Sequence, residues 1–352
     1  MTKRKALIAG VTGAIGGALA EHLSGLKDWQ VTGLCRRPPA SPLPNVDYIL
    51  VDMTDVQACR EALSRHDDVT HLIYSGRAAH DDLGRESVQK NLDLLSNVLV
   101  ATSAMSPALR HVHLVQGGKY YGVHVGPFPT PAREDDPRSV ISNFYYAQED
   151  FLRAASAENN WHWSASRPNT LLHFSPHNPR NLVSTLSAYA AICREVGAAL
   201  NFPGPEGAFT SLAQLTSTDL LSRAIAWMAT DDQAANQAFN VANGDLVRWC
   251  QFWPKLADAF QIPCGCVRPM RLVDVMADKQ PVWQQITKHH GLKSQPLAAV
   301  ANWAYVDGTL ERTWDEIQST MKARKFGFHD CADSEEDFLR ILARYRDAEL
   351  LA

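Results

Sequence analysis

The sequence predicts an α/β fold, a doubly wound parallel sheet with a smaller, mainly helical C-terminal lobe that covers the substrate. Three observations carry this. Strand-like and helix-like segments alternate through the first half of the chain at the spacing of strand–helix–strand units. Gly10, Gly13 and Gly16 sit between the first strand and the first helix. From Trp249 onward the pattern becomes helical and rich in tryptophan, with no second glycine triplet.

Each element has its own signal. Residues 5–10 form a short apolar run, the mark of a buried strand, and 14–26 place apolar side chains at helical spacing. Strands follow at 30–35 and 47–51, a helix at 56–64 and a fourth strand at 70–75. A long helix at 87–103 leads to a strand at 111–116, and a helix at 143–158 to a sixth strand at 162–167. That order is a Rossmann domain, whose ligands lie outside the carboxyl ends of the strands. Past Arg167-Pro168-Asn169 the alternation loosens. A helix is expected at 184–195, a Gly/Pro-rich loop at 202–209, a helix at 217–230 with Asp219 near its N-cap, and a short strand at 238–241 that rejoins the sheet. The expected division is a cofactor-binding Rossmann domain at 1–168, partly rejoined by 205–248, and a substrate-binding lobe made of 169–204 and 249–352.

Composition excludes several classes. Of the 352 residues 20% are charged, and a net charge of −4 offers no electrostatic case for nucleic acid or an anionic membrane. No apolar stretch approaches the ~18 residues that cross a bilayer. Met1-Thr2-Lys3-Arg4-Lys5 before an apolar run resembles a signal peptide superficially, but glycines interrupt the run and no small-residue cleavage site follows. A first strand in a cytoplasmic protein is the expectation. Seven scattered cysteines fit reduced structural thiols, and Cys264-Gly265-Cys266 lack a second pair at zinc spacing. The histidines show no His-Glu-x-x-His, so no metal is expected; His111 and His113 share one face of a strand, as packing or surface residues. Without a heptad or interface strip, a homodimer is left open.

Gly10, Gly13 and Gly16 obey G-x-x-G-x-x-G. The first permits a tight turn, the second lets backbone N–H groups approach a pyrophosphate, and the third lets the helix pack on the strand. Thr12, Ala14 and Ile15 complete the turn. At the end of the second strand, where an acidic residue would hold a ribose 2′-hydroxyl, stand Arg36 and Arg37. Two guanidinium groups suit a 2′-phosphate, so NADPH/NADP+ is the expected cofactor. Asp52 fits two roles equally, acceptor for the adenine amino group or N-cap of the next helix. Met53, Ser75, Gln116, Tyr145, Pro168 and Thr170, at or just beyond strand ends, complete the expected cofactor contacts.

None of the nine tyrosines has a lysine four residues after it, although Tyr-x-x-x-Lys is the usual catalytic pair of short-chain dehydrogenases. Four residues beyond Tyr145 and Tyr146 stand Glu149 and Asp150. Two segments stand out instead, Gln116-Gly117-Gly118-Lys119-Tyr120-Tyr121-Gly122 and Asn143-Phe144-Tyr145-Tyr146. With Gly126-Pro127-Phe128, Phe174-Ser175-Pro176, Tyr189-Ala190-Ala191-Ile192-Cys193, Ala238-Phe239-Asn240-Val241 and Pro281-Val282-Trp283, they resemble the progesterone 5β-reductase/iridoid synthase-like (PRISE) family of atypical extended short-chain dehydrogenases. The similarity spans nearly the whole chain. It implies that the catalytic lysine is Lys119 and the catalytic tyrosine Tyr145. Two features depart from the family: Tyr120 replaces the histidine of a Lys-His-Tyr motif, and Gly122-Val123-His124-Val125 lengthens the loop before Gly126.

The chemistry follows from the groups. A phenol near pKa ~10 is a weak acid at neutral pH, and an adjacent ammonium shares its developing charge. For a conjugated enone, the Tyr145 hydroxyl would hold the enolate oxygen with Lys119 in support. The expectation is an NADPH-dependent reductase of activated C=C bonds acting on a small hydrophobic enone. The alternatives are a carbonyl reductase or sugar-nucleotide epimerase/dehydratase, and a non-catalytic NADP(H)-binding regulator. Tyr146 is read as structural, and Asn91 either as an orienting group or as part of a solvated face. Phe174, Met276 and Trp303 are candidates for an apolar substrate lining, while Trp249, Trp253 and Trp283 are core.

Overall fold

Ala6, Leu7, Ile8 and Ala9 are all buried, so β1 (Arg4–Ala9) is an inner strand covered on both faces. The computed structural model describes residues 3–81, 85–176 and 178–352. After β1 come α1 (Ala14–Ser24), β2 (Trp29–Cys35), β3 (Val46–Leu50), α2 (Val56–Leu63), β4 (His71–Tyr74), α3 (Val88–Met105) and β5 (His111–Val115). A single 3₁₀ turn, Gly118–Tyr121, leads towards α4 (Phe144–Ala157) and β6 (His162–Pro168). The chain then runs through β7 (Thr170–Leu172), α5 (Leu182–Glu195), β8 (Leu200–Phe202), α6 (Glu206–Thr210), β9 (Leu212–Ala213), β10 (Leu215–Ser217), α7 (Thr218–Thr230) and β11 (Gln237–Val241). Seven parallel strands form the main sheet in the order β11-β6-β5-β4-β1-β2-β3. Their carboxyl ends therefore share one edge.

Helix starts follow side-chain capping. Asp55, Ser87, Asn143, Asn181 and Ser217 each accept from a backbone N–H in the first turn of α2, α3, α4, α5 and α7. Of the two roles read for Asp52, the cap of α2 falls to Asp55. Asp219 lies near the start of α7 as expected, in the first turn after the Ser217 cap, where its charge suits the helix dipole. The loop expected at 202–209 holds the short helix α6, started by Pro205, whose backbone needs no amide donor at that position.

Two apolar clusters sandwich the sheet, one with Leu95, Val98 and Leu152 of α3 and α4, the other with Leu19, Leu221 and Ile225 of α1 and α7. A third fills the C-terminal lobe, where α5 is buried along its length against Trp249, Trp253 and Trp283. His111 and His113 prove buried, which removes the surface reading. His111 shares Ser164 Oγ with His113, whose other ring nitrogen meets Ser166 Oγ at 3.0 Å. Asn91 is buried as well: its Oδ1 accepts from Ala78 N–H and its Nδ2 donates to the Ser87 carbonyl, so it lies on no solvated face. No helix among the described residues is long and apolar enough to cross a membrane.

Candidate active site

The turn after β1 is built by glycine. Gly10 has φ +85°, and a Cβ at Gly16 would sit 2.3 Å from the Gly10 carbonyl oxygen. Gly13 starts α1 with no side-chain cap and no acidic residue in the first turn, so the helix keeps its N–H groups and positive end for an anion. These features fit a dinucleotide pyrophosphate. Ser75 Oγ donates to the Ala9 carbonyl, bracing the turn against β4. Arg36 and Arg37 are exposed just beyond β2. Near Arg36, Asp52 accepts from Thr54 N–H and Oγ1, and these bonds, chiefly, hold its carboxyl below the usual range. Met53 is buried, with its carbonyl taken by Asn97 Nδ2.

The two segments singled out beyond β5 meet through Asn143. Its Oδ1 caps α4 at Tyr145 N–H, and its Nδ2 donates to the Lys119 carbonyl at 2.7 Å. Gly117 passes so close to Tyr145 that an added Cβ would lie 3.3 Å from the phenol oxygen and 3.6 Å from the Pro168 carbonyl. The Tyr145 hydroxyl has no hydrogen-bond partner among the described residues, and burial raises its pKa against the pull of Arg77 and Arg180. Lys119 Nζ reaches Glu86 Oε1 at 3.2 Å, and Arg77 pairs with the same carboxylate. Burial first, then Arg77, Arg180 and Arg312, bring the Lys119 pKa down to about 8. Both groups thus sense Arg77 and Arg180. Tyr146 is structural: its hydroxyl donates to the Tyr120 carbonyl and its ring meets Tyr120 edge-on.

Glu149, at the position where a lysine is usual, belongs to a buried ionic network. Arg167 Nη2 meets Glu149 Oε2 at 3.0 Å, and Gln116 bridges them, accepting from Arg167 Nε and donating to Glu149. The Gln116 side chain is thereby committed inside the protein and its N–H donates to the Ser166 carbonyl, which leaves only its own carbonyl for a cofactor. Thr170 N–H is taken by the Asn169 side chain. Phe174 packs at a tilt against Tyr345, Met276 is buried in the C-terminal core, and Trp303 opens the short helix Trp303–Leu310. No ring contact joins these three to Tyr145 among the described residues.

Arg77, Arg180, Arg312 and Glu86 were not anticipated. Arg77 could have been, since it lies two residues past Ser75 at a strand end. The other arginines come from distant segments with no motif to flag them.

The family described as a PRISE-like Rossmann-fold domain matches residues 49–351. The chain belongs to that family. Among relatives of this PRISE-like chain, an (S)-8-oxocitronellyl enol synthase of Nepeta racemosa is 39% identical, covering 95% of this chain and 88% of its own. A 3-oxo-Δ4,5-steroid 5β-reductase of Arabidopsis thaliana is 36% identical over 97% and 91%. Solved structures agree on the fold alone. A UDP-glucose 4-epimerase of Thermotoga maritima superposes with a TM-score of 0.70 at 15% identity, covering 97% and 99%. A short-chain dehydrogenase/reductase of Agrobacterium tumefaciens, solved with NAD, gives 0.68 at 14%, covering 98% of each chain.

Proposed function

We propose that this PRISE-like chain is an NADPH-dependent reductase of the activated C=C bond of enones. The observation that carries the reading is the Asn143 bridge, which ties the Lys119 turn to the helix start bearing an unpartnered Tyr145 hydroxyl. The relatives' names point the same way, one to an enol product and one to reduction beside a 3-oxo group. When bound, the dihydronicotinamide supplies hydride to the β-carbon. The Tyr145 hydroxyl donates to the carbonyl oxygen and holds it as charge builds there, and the Lys119 ammonium lowers the cost of that charge. A solvent proton at the α-carbon completes the saturated ketone.

Arg36 and Arg37 are the proposed holders of the 2′-phosphate; Phe174, Met276 and Trp303 are the proposed apolar wall. Residues 1–168 with part of 205–248 would carry the cofactor, and 169–204 with 249–352 the substrate. The test is product identification with NADPH or NADH, using cyclic enones, simple ketones and a sugar nucleotide. Saturated ketone is expected, with NADPH preferred; allylic alcohol would mean carbonyl reduction. Tyr145→Phe should cut enone turnover ~100-fold or more while NADPH still binds. Undiminished turnover in that variant would remove Tyr145 from the chemistry.

A further inference from the structure

Glu149 takes the place four residues after Tyr145, one helical turn along the same face of α4, where a lysine is usual. Its side chain and that of Arg167 are each only 1% exposed, with Nη2 and Oε2 3.0 Å apart. The Arg167 fork reaches three more groups. Nε donates to Gln116 Oε1 at 2.9 Å, and Nη1 donates to the Tyr121 hydroxyl at 3.0 Å and to the Glu134 carbonyl at 3.2 Å. The guanidinium carbon lies over the Tyr120 ring, 3.4 Å from the centroid. Gln116 completes the set, donating to Glu149 Oε2 at 3.0 Å and to the Tyr145 carbonyl at 3.3 Å. One planar cation therefore grips both halves of the candidate site. On one side stand Tyr120 and Tyr121, which follow Lys119 in its turn; on the other stand Glu149 and Gln116, which hold the start of α4 at Tyr145.

We propose that Arg167 is a positioning residue: gripping Tyr120 and Tyr121 on one side and Glu149 with Gln116 on the other, it sets the distance between the Lys119 ammonium and the Tyr145 hydroxyl. The proposal rests on the enone-reductase reading and gives the glutamate at the lysine position a task. Burying two charges brings little net stability, and an apolar pair of similar volume often serves a core as well. What the ion pair adds is geometry. A guanidinium is planar, stays charged at every working pH and holds its donors in fixed directions. Lys119 stands on a single 3₁₀ turn and not on α4, so it lacks the one-turn spacing that Tyr-x-x-x-Lys builds into a helix. The Arg167–Glu149 link supplies a rigid connection in its place. Asn143 ties the two segments at the Lys119 carbonyl, and Arg167 ties them again at Tyr121, the far end of the turn.

The test is the paired variant Arg167→Met/Glu149→Leu, which removes both charges together and leaves neither partner as a lone buried ion. Urea unfolding checks that it is folded. With a cyclic enone, kcat should fall about tenfold or more, while KM and the Kd for NADPH stay within about threefold. Adding Lys119→Met to the pair should then cost little further rate, because the ammonium is already out of place. A folded pair variant with undiminished kcat would overturn the proposal, as would a full, independent loss on adding Lys119→Met. If the pair variant does not fold, Arg167→Lys takes its place. An ammonium keeps the charge opposite Glu149 but cannot span Gln116, Glu149 and Tyr121 at once, so kcat should still drop at unchanged KM; unaltered kcat there would equally end the idea. Should the native protein reduce no enone, the reductase reading fails, and positioning is decided separately by NMR titration of Lys119 in protein carrying isotope-labelled lysine, assigned with Lys119→Met. In the pair variant the pKa should climb from about 8 towards that of free lysine as the released turn exposes the amine, and an unmoved value would refute the proposal.

Discussion

Lys119 shows how one residue's surroundings set its chemistry. Burial and three arginines hold its pKa at about 8, well below that of a free lysine. The ammonium that supports the Tyr145 oxygen is therefore present below pH 8 and lost as pH rises through it. With NADPH saturating, kcat/KM for an enone should fall above that point, approaching tenfold per pH unit. Tyr145 cannot account for such a limb, because burial moves its ionisation upward. Lys119→Met should lower the rate throughout and flatten the limb; an unchanged limb in that variant would assign the titration elsewhere. At this scale the sequence was half legible. Lys119, Tyr145 and the glycines sit in contiguous motifs, whereas Glu86 and Arg167 acquire meaning only when the fold brings separate segments together.

At the scale of elements, strands and capped helices were legible because burial and capping act on neighbouring residues. The interior histidines of β4 and β5 were not, since Ala229 of α7 and the serines of β6 that they meet are distant in sequence. His71 donates to or accepts from Thr70 and faces the Ala229 carbonyl; His113 is held between two serines of β6. Burial lowers His71 to about 4 and His113 to about 3, and puts His111 well below its usual value of 6.5. The unfolded chain protonates each near pH 6.5, while the folded chain stays neutral until far lower. Stability contributed by these neutral rings is thus intact above pH 6.5 and declines as pH falls, by about 1.4 kcal/mol per pH unit for each histidine. Urea titrations at pH 7 and pH 5 should show this loss. His113→Asn, though less stable at neutral pH, should lose less on acidification; an equal loss would mean that His113 takes up its proton in the folded state.

Across the whole molecule, Asn240 near the end of β11 joins parts that the sequence keeps far apart. It is fully buried. Its Oδ1 accepts from Tyr121, 119 positions away, and its Nδ2 donates to the carbonyls of Ala132 and Ser319. Its backbone N–H donates to Glu134, and Tyr121 also accepts from Arg167. One amide therefore ties the Lys119 turn, the sheet and the C-terminal segment carrying Arg312 into a single body. The motif Ala238-Phe239-Asn240-Val241 was visible in the sequence, but no local pattern could show that its asparagine spans these parts. Asn240→Ala strips partners from three buried polar groups and should cost about 2–4 kcal/mol in urea unfolding. Asn240→Asp makes the sharper test. The carboxylate can still accept from Tyr121, but its other oxygen would face two carbonyl oxygens and lie near Glu134, where asparagine presents an NH₂. At pH 7 it should destabilise at least as much as alanine, despite its nearly identical shape, and recover part of the loss at lower pH when protonated. Wild-type stability in the aspartate variant would show that the Nδ2 bonds to Ala132 and Ser319 do not hold these parts together.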